Sequence, residues 1–174
     1  MTDLPNAKGS KLFFGAPNHD YFTGDLTWIK ITTESYWNLQ ATGITRNGKA
    51  VEVIGNFSAI MDSGTSLIVV MPEIYQHWGI QPLTGNRCPT AADNLPTIGI
   101  TIGGKNWELT PKQYVIKVGG QCVMGIQAGQ IGNIQMIIGD TFMKHYYTHF
   151  DYANDRLAIA PAVPHDGLVR GEDM

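Results

Sequence analysis

One acidic segment of the sequence has the residue types for acid–base chemistry. Asp62 begins the run Asp-Ser-Gly-Thr-Ser, and apolar residues flank it at 59–61 and 67–70. A carboxylate between two core-forming segments is costly to bury unless hydrogen bonds or a shared proton stabilise it. Gly64 permits a sharp chain reversal, and nearby hydroxyls can hold the acid: those of Ser63, Thr65 and Ser66. The segment is therefore a candidate for general acid–base catalysis, although a β-turn uses the same residue types.

Other reactive residue types give weaker signals. His145 and His149 have the i, i+4 spacing of a helical metal pair, but the glutamate that a zinc-protease motif places after its first histidine is absent. Ser63 and Ser66 do not lie in the Gly-x-Ser-x-Gly motif of serine hydrolases. The sequence therefore predicts no metal site, and nothing in it calls for an organic cofactor.

Short β-strands are the elements that must position Asp62. The 20 Gly and nine Pro residues divide the chain into short segments in which apolar and polar residues alternate, as in half-buried strands. Trp37–Thr42 alternates in this way, and Asn47-Gly48 is typical of a tight hairpin turn because both residues tolerate positive φ. The other predicted strands are Ala50–Ile54, Ala59–Met61, Ile98–Ile102, Trp107–Leu109, Tyr114–Val118 and Arg156–Ala160.

Few helices are predicted, and all are short. Pro72 suits the first position of a helix that runs to Trp78, and Gly79 suits its end. Asp140 is predicted to cap a second helix, from Thr141 to about Tyr147. The predicted fold class is therefore all-β, with antiparallel sheets and two or three short helices.

The length and charge of the chain restrict its class. A chain of 174 residues suits one domain with a sizeable hydrophobic core. The formal net charge of -3 gives no electrostatic reason to expect nucleic acid or an anionic membrane as partner. No apolar run approaches the ~18 residues of a membrane span, and residues 1–5 lack the features of a signal peptide. We expect a soluble domain over 1–162, followed by a polar, flexible tail over 163–174.

Two features of the sequence lean toward the secretory pathway. Cys88 and Cys122 could form one disulfide across 34 residues, or they could be two separate buried thiols, as in a reducing cytosol. Asn56-Phe57-Ser58 is a sequon for N-glycosylation, so Asn56 is a candidate glycosylation site.

An ordered series of motifs resembles the C-terminal lobe of pepsin-like aspartic proteases. The resemblance extends from about Ser10 to Ala162, and it includes the disulfide of that family at Cys88 and Cys122. It implies one lobe of the pepsin-like fold. The motifs that carry it are, in chain order, Tyr21–Trp28, Tyr36-Trp37, Asp62-Ser63-Gly64-Thr65, Ile137–Phe142 and Phe150–Ala160.

The resemblance assigns roles to residues around Asp62. Asp62 corresponds to the catalytic aspartate of the lobe, and Thr65 to a hydroxyl that braces the active-site loops across the lobe junction. Ile137-Ile138-Gly139 corresponds to a strand that passes the catalytic loop in a psi-shaped crossing. Gly64 and Thr65 would offer backbone groups to an extended peptide, and Tyr36 and Ile137 would line a pocket on the side of the leaving amine. Supporting roles are implied for Ser63, Ser66, Ile138 and Gly139.

The resemblance also implies a mechanism for which this chain has half the residues. Pepsin-like enzymes have two lobes, each with one catalytic aspartate, and the two carboxylates share a proton because both cannot ionise comfortably. One activates a water molecule that attacks the peptide carbonyl. Its protonated partner polarises that carbonyl, and the proton passes to the leaving nitrogen. This chain has one such motif, and we expect Asp140 and Asp151 to be structural.

Three hypotheses about the whole protein remain open. An N-terminal lobe of the same protease completes the site in the first, and a second copy of this lobe completes it in the second, as in retroviral proteases. In the third, the parent is a catalytically inactive homologue that binds peptides or proteins. For an active enzyme, the resemblance implies a peptide or protein substrate cut between bulky apolar residues at acidic pH. We then expect secretion, or an acidic vacuolar or lysosomal location.

Overall fold

The structure is a computed structural model that describes residues 11–51, 55–83, 87–90, 93–129 and 132–163. Strands dominate these residues, so the predicted all-β class is confirmed. The strands are β1 (Thr27–Lys30), β2 (Asn38–Arg46), β3 (Lys49–Val51), β4 (Phe57–Met61), β5 (Ile68–Val70), β6 (Ile98–Ile102), β7 (Lys105–Leu109), β8 (Val115–Val118), β9 (Gln121–Met124), β10 (Ile126–Ala128), β11 (Met136–Ile138), β12 (Tyr146–Asp151) and β13 (Arg156–Pro161).

Three short α-helices accompany the strands in the described part of the chain. They are α1 (Pro72–Trp78), α2 (Pro111–Tyr114) and α3 (Asp140–Met143), and single 3-10 turns lie at His19–Tyr21 and Tyr152–Asn154. None of the described helices has the length and apolar character needed to cross a membrane. The first helix agrees with the prediction, and it ends at Gly79, whose φ of 66° suits glycine.

The strands form three sheets. The main sheet has the order β10-β5-β11-β4-β2-β6-β7, with β3 paired to β2. A three-stranded sheet has the order β1-β13-β12, and β8 and β9 form a separate hairpin. Most pairs are antiparallel, as predicted, but β11 is parallel to β4 and β10 is parallel to β5. Both parallel pairs involve strands next to the loop that contains Asp62.

The alternating residues of the main sheet form the core. Leu39 and Ala41 in β2 are fully buried, as the period of two predicts. The predicted alternation Ile98–Ile102 places its three isoleucines in the same core. The predicted hairpin turn joins β2 to β3, with φ of 51° at Asn47 and 73° at Gly48.

Several predicted boundaries were wrong or lie outside the described residues. The helix predicted from Thr141 to about Tyr147 ends at Met143, because Tyr146 already pairs with Pro161 in the small sheet. Tyr114 belongs to α2 rather than to a strand. Of the predicted strand Ala50–Ile54, residues 52–54 lie outside the described residues, as does nearly all of the predicted tail.

Candidate active site

Asp62 lies where three strands of the main sheet meet. It directly follows β4, and the loop after it leads into β5. Between these two strands lies β11, parallel to β4 and antiparallel to β5. The backbone N–H of Asp62 donates to the carbonyl oxygen of Ile138 at 3.0 Å. The chain therefore makes the psi-shaped crossing that the resemblance implies, with Ile137 and Ile138 in its central strand.

Gly139 lets the chain pass close to the Asp62 loop. A Cβ atom on Gly139 would lie 2.0 Å from the carbonyl oxygen of Thr65 and 2.4 Å from that of Leu67. The next two backbone N–H groups donate into the same loop: Asp140 to the Thr65 carbonyl at 2.8 Å and Thr141 to that of Ser66 at 3.0 Å. The φ of Gly139 is -101°, which any residue can adopt, so the backbone angle does not require glycine here. Glycine is required because the two backbone segments lie too close for a side chain.

The carboxylate of Asp62 is held by its own loop. Oδ1 accepts a hydrogen bond from the backbone N–H of Gly64 at 2.9 Å, and Oδ2 accepts one from the hydroxyl of Thr65 at 2.6 Å. Hydrogen bonds to an ionised acceptor are about twice as strong as neutral ones. Asp62 is half-buried, so one face of the carboxylate remains open to a reactant while the loop fixes its orientation.

The same bonds bear on two of the predicted roles. The N–H of Gly64 donates to Asp62 and the carbonyl of Thr65 accepts from Asp140, so these two groups are already hydrogen-bonded within the chain. The expected contact of the Gly64 and Thr65 backbone with a peptide stays a prediction. The hydroxyl of Thr65 is directed at Asp62 rather than away from the chain. The exposed hydroxyl of Ser63 has no hydrogen-bond partner among the described residues. The exposed Ser66 contributes its carbonyl, which also accepts from the hydroxyl of Thr141.

Asp62 opens onto a cleft of about 500 Å³. The predicted pocket residue Tyr36 lies in it and is 61% exposed. Ile137, also predicted to line a pocket, is not among the residues of this cleft. It pairs with the cleft residue Ile60 and therefore lies one strand away from the cleft. The cleft is lined by Ile31, Glu34, Ser35, Tyr36, Trp37, Ile60, Met61, Asp62, Tyr152 and Asp155.

Tyr152 is a cleft residue that the sequence analysis missed. It is 85% exposed and lies in the turn between β12 and β13. The available signal was a single aromatic ring among the turn-forming residues Asp151, Asn154 and Asp155. Tyr36 and Tyr152 thus present two exposed phenol rings to the same cleft as Asp62.

Asp140 is a second acidic residue next to the Asp62 loop. It does not cap α3 with its side chain as predicted, because Gly139 is the N-cap residue. Its Oδ1 is buried and has no hydrogen-bond partner within the described residues. Burial raises the pKa of Asp140, and the negative charge of Asp62 raises it further. The site therefore has one half-buried, hydrogen-bonded carboxylate, that of Asp62, and a second carboxyl group, that of Asp140, whose pKa is raised.

Asp151 has a structural environment, in agreement with the prediction. It accepts hydrogen bonds from Nε of Arg156 at 2.7 Å and from the amide of Asn154, and these bonds lower the pKa of its carboxyl group. The guanidinium of Arg156 in turn lies 3.9 Å from the ring of Trp28. This cluster joins the three strands of the small sheet, and Asp151 is not among the residues that line the cleft.

The remaining predicted residues are placed as follows. Cys88 and Cys122 form a disulfide, and Asn56 is exposed just before β4. The Nε2 atom of His145 lies 3.1 Å from the carbonyl oxygen of Gln113, and the ring of His149 packs edge-on against that of Trp28. The described residues contain no cluster of three side chains suited to a metal ion.

Comparisons with known proteins identify the family of the chain. The family model for eukaryotic aspartyl proteases matches residues 1–162. The chain is 33% identical to cathepsin E-A of Xenopus laevis over 98% of its own length and 46% of the relative's. It is 34% identical to chymosin of Camelus dromedarius over 91% of its length and 43% of the relative's, and 30% identical to pepsin A of Sus scrofa over 88% and 42%.

A solved structure supports the fold independently. The aspartic proteinase from Irpex lacteus superposes with a TM-score of 0.71 over 86% of this chain and 50% of that one, at 23% identity. The chain belongs to the eukaryotic aspartyl protease family. It spans about half the length of the relatives it matches.

Proposed function

We propose that this chain is the C-terminal lobe, over residues 1–162, of a two-lobed pepsin-like aspartic endopeptidase, and that Asp62 is one of its two catalytic aspartates. The observation that carries the proposal is the geometry of the Asp62 carboxylate. Its loop holds it with two hydrogen bonds, the psi crossing lies behind it, and a cleft opens in front. A carboxylate fixed in this way is ready to accept a proton from water.

The chemistry requires a second carboxylate beside Asp62. With two carboxylates and one shared proton, one acts as base on a water molecule while the other, protonated, polarises the peptide carbonyl. Asp140 is unsuited to that partnership, because its Oδ1 is buried and it is not among the cleft residues. Asp155 and Glu34 do line the cleft, but both are exposed and have no hydrogen bond that orients the carboxylate among the described residues. The second aspartate therefore comes from another lobe, and no metal or organic cofactor is needed for this reaction.

An N-terminal lobe of the same protein is the partner that the chain length favours. The relatives are about twice as long as this chain. Large apolar side chains lie exposed at the start of the described chain, where Leu12 is 81% and Phe14 is 93% exposed. Exposed apolar clusters of this kind mark interaction surfaces. A second copy of this lobe is the alternative partner.

The cleft favours an extended peptide with bulky apolar side chains. The rings of Tyr36 and Tyr152 and the side chain of Ile60 offer apolar surface next to Asp62. The disulfide favours an oxidising compartment, and so secretion or an acidic vacuole or lysosome. The sharing of one proton by two aspartates favours activity at acidic pH.

The test is to assay this chain alone and together with the lobe that precedes it in the parent protein. We expect the chain alone to leave a chromogenic peptide uncut at acidic pH, and the joined lobes to cut it. Analytical ultracentrifugation over a concentration series tests the second-copy alternative, which requires a dimer. Joined lobes that bind the peptide without cutting it would support the inactive-homologue hypothesis instead.

A further inference from the structure

A second cavity lies at the end of β4 remote from Asp62. Its volume is about 310 Å³, and it shares none of its lining residues with the cleft. Asn56, at its rim, is six residues from Asp62, which corresponds to about 20 Å of extended chain. The cavity is lined by Thr32, Leu39, Gln40, Asn56, Phe57, Ser58, Met71, Glu73, Ile74 and Gln135.

The walls of this cavity combine two kinds of surface. The apolar surface of the cavity comes from Phe57, which is 8% exposed, and from the half-buried Met71, while Leu39 and Ile74 lie almost fully buried behind them. Amide, hydroxyl and carboxylate groups lie around it, including those of Gln40 and Glu73. A sugar ring matches such a site, because its C–H faces are apolar and its edge carries hydroxyl and acetamide groups. The volume is at the lower end of the roughly 300–1,000 Å³ of ligand sites, which suits one ring rather than a long oligosaccharide.

The position of the sequon indicates how a sugar would reach the cavity. Asn56 is exposed and lines the rim, and the other two sequon residues, Phe57 and Ser58, also line the cavity. We propose that Asn56 carries an N-linked glycan whose first sugar packs into this cavity and stabilises the folded chain. The inference rests on the secretory location given under the proposed function, but not on catalysis.

The structure also indicates when Asn56 would be glycosylated relative to the folding of the chain. In the folded chain the hydroxyl of Ser58 donates to Oδ1 of Asn38 at 2.8 Å, and its N–H donates to Oε1 of Gln135 at 2.9 Å. Ser58, which an oligosaccharyltransferase must bind as part of the sequon, is therefore held by hydrogen bonds in the folded sheet. It follows from the proposal that the glycan is added before β4 pairs with β2. In that step the amide nitrogen of Asn56 attacks C1 of an oligosaccharyl diphospholipid. The N–C1 bond forms, the C1–O bond breaks, and the amide proton leaves with the lipid diphosphate.

The experiment compares three forms of the complete protein. The first is the protein secreted from a eukaryotic host, and the second is the same protein after an endoglycosidase has trimmed the glycan on Asn56 to a single N-acetylhexosamine. The third is the Asn56→Gln variant. We expect intact-mass analysis to show Asn56 occupied in the secreted protein. The single-sugar form should retain a thermal midpoint at least about 2–4 °C above that of Asn56→Gln.

A pair of further variants separates packing in the cavity from a general effect of the glycan. Gln40→Ala removes a polar group from the cavity wall, and Gln76→Ala removes an exposed amide of α1 that does not line the cavity. The difference between single-sugar and unglycosylated forms should shrink in Gln40→Ala and persist in Gln76→Ala. An unoccupied Asn56 in the secreted protein, or equal midpoints with and without the sugar, would overturn the inference. Peptidase activity is measured separately, so its loss bears on the proposed function alone.

Discussion

Thr65 is the side chain in closest contact with the carboxylate of Asp62, at 2.6 Å from its hydroxyl oxygen to Oδ2. The sequence analysis expected this hydroxyl to reach across to another lobe. Within this chain the hydroxyl donates to the acid, where it stabilises negative charge and fixes the rotation of the carboxylate. The contact with another lobe stays a prediction. Residue type and spacing were sufficient to select Asp62 and its neighbours, but the direction of each hydroxyl depends on loop geometry.

Replacing Thr65 with valine in the complete protein removes this hydrogen bond. A hydrogen bond to a charged group contributes about 1.5–3 kcal/mol, so we expect kcat/KM to fall by about 10- to 150-fold. Thr65→Ser keeps the hydroxyl and is the matched control, expected to retain most of the activity. Steady-state hydrolysis of a peptide by the three proteins checks the expectation; equal rates for Thr65→Val and Thr65→Ser would contradict it.

The buried oxygen of Asp140 predicts a pH-dependent effect on stability. Since the folded-state pKa of Asp140 is raised above the unfolded value of about 4, the folded protein holds this proton more tightly than the unfolded chain. The cost to stability therefore grows as pH rises from about 4 to the raised pKa and is complete above it, and it is absent well below pH 4. The negative Asp62 adds to this cost, and the cationic Lys144 reduces it.

We therefore expect Asp140→Asn to stabilise the chain at neutral pH. The gain is expected to be below about 1 kcal/mol, because the side chain is only partly buried and solvent screens its charge. At about pH 3 the variant and the unaltered chain should unfold alike. Urea denaturation at both pH values measures the difference, and a gain that is larger at pH 3 would have the wrong sign.

The psi crossing depends on one glycine. A Cβ atom at Gly139 would overlap the carbonyl oxygens of Thr65 and Leu67, and moving the two segments apart would break the backbone hydrogen bonds from Asp140 and Thr141 to the same loop. We expect Gly139→Ala to prevent folding or to destabilise the chain by several kcal/mol. Gly43→Ala is the control, since its Cβ would meet the nearest atom, of Thr101, at an ordinary 3.7 Å. Circular dichroism and denaturation of both variants test this; a stable Gly139→Ala chain would refute the packing argument.

The disulfide joins the segment that contains Cys88 to β9. It closes a loop of 34 residues, for which the chain-entropy model predicts roughly 3–4 kcal/mol of stabilisation. We expect the double variant Cys88→Ser/Cys122→Ser to lose about that much unfolding free energy. Adding reductant to the unaltered chain should lower the denaturation midpoint similarly and leave the double variant unaffected.

Elements with a strong local signal were predictable, and those decided by tertiary pairing were not. The Asn47-Gly48 turn and the helix that starts at Pro72 follow from backbone preferences of those residues. The helix after Gly139 is cut short because Tyr146 pairs with β13, and a residue's partner in a distant strand is not encoded locally. The short helix α2 carried a signal that was overlooked: Thr110 and Gln113 form a capping box.

For the molecule as a whole, the central feature is that the cleft has one suitable carboxylate. Asp62, Asp155 and Glu34 all line it. Asp155 lies in a turn with φ of 49°, both it and Glu34 are exposed, and neither has a hydrogen bond that orients its carboxylate among the described residues. The family resemblance and the relatives' length could be anticipated from motif order. The identity of the second carboxylate could not, because the proposed function assigns it to another lobe.

The most direct test of this account is the peptidase activity of the complete protein with Asp62→Asn, beside Asp155→Asn as an isosteric control in the same cleft. Asparagine tolerates the left-handed backbone at position 155, so that control should fold and cut peptides at a normal rate. We expect Asp62→Asn to fold but to lose about 10⁴-fold or more in kcat, as when other catalytic residues are removed. Activity of Asp62→Asn similar to that of Asp155→Asn would contradict the assignment of Asp62 as a catalytic residue.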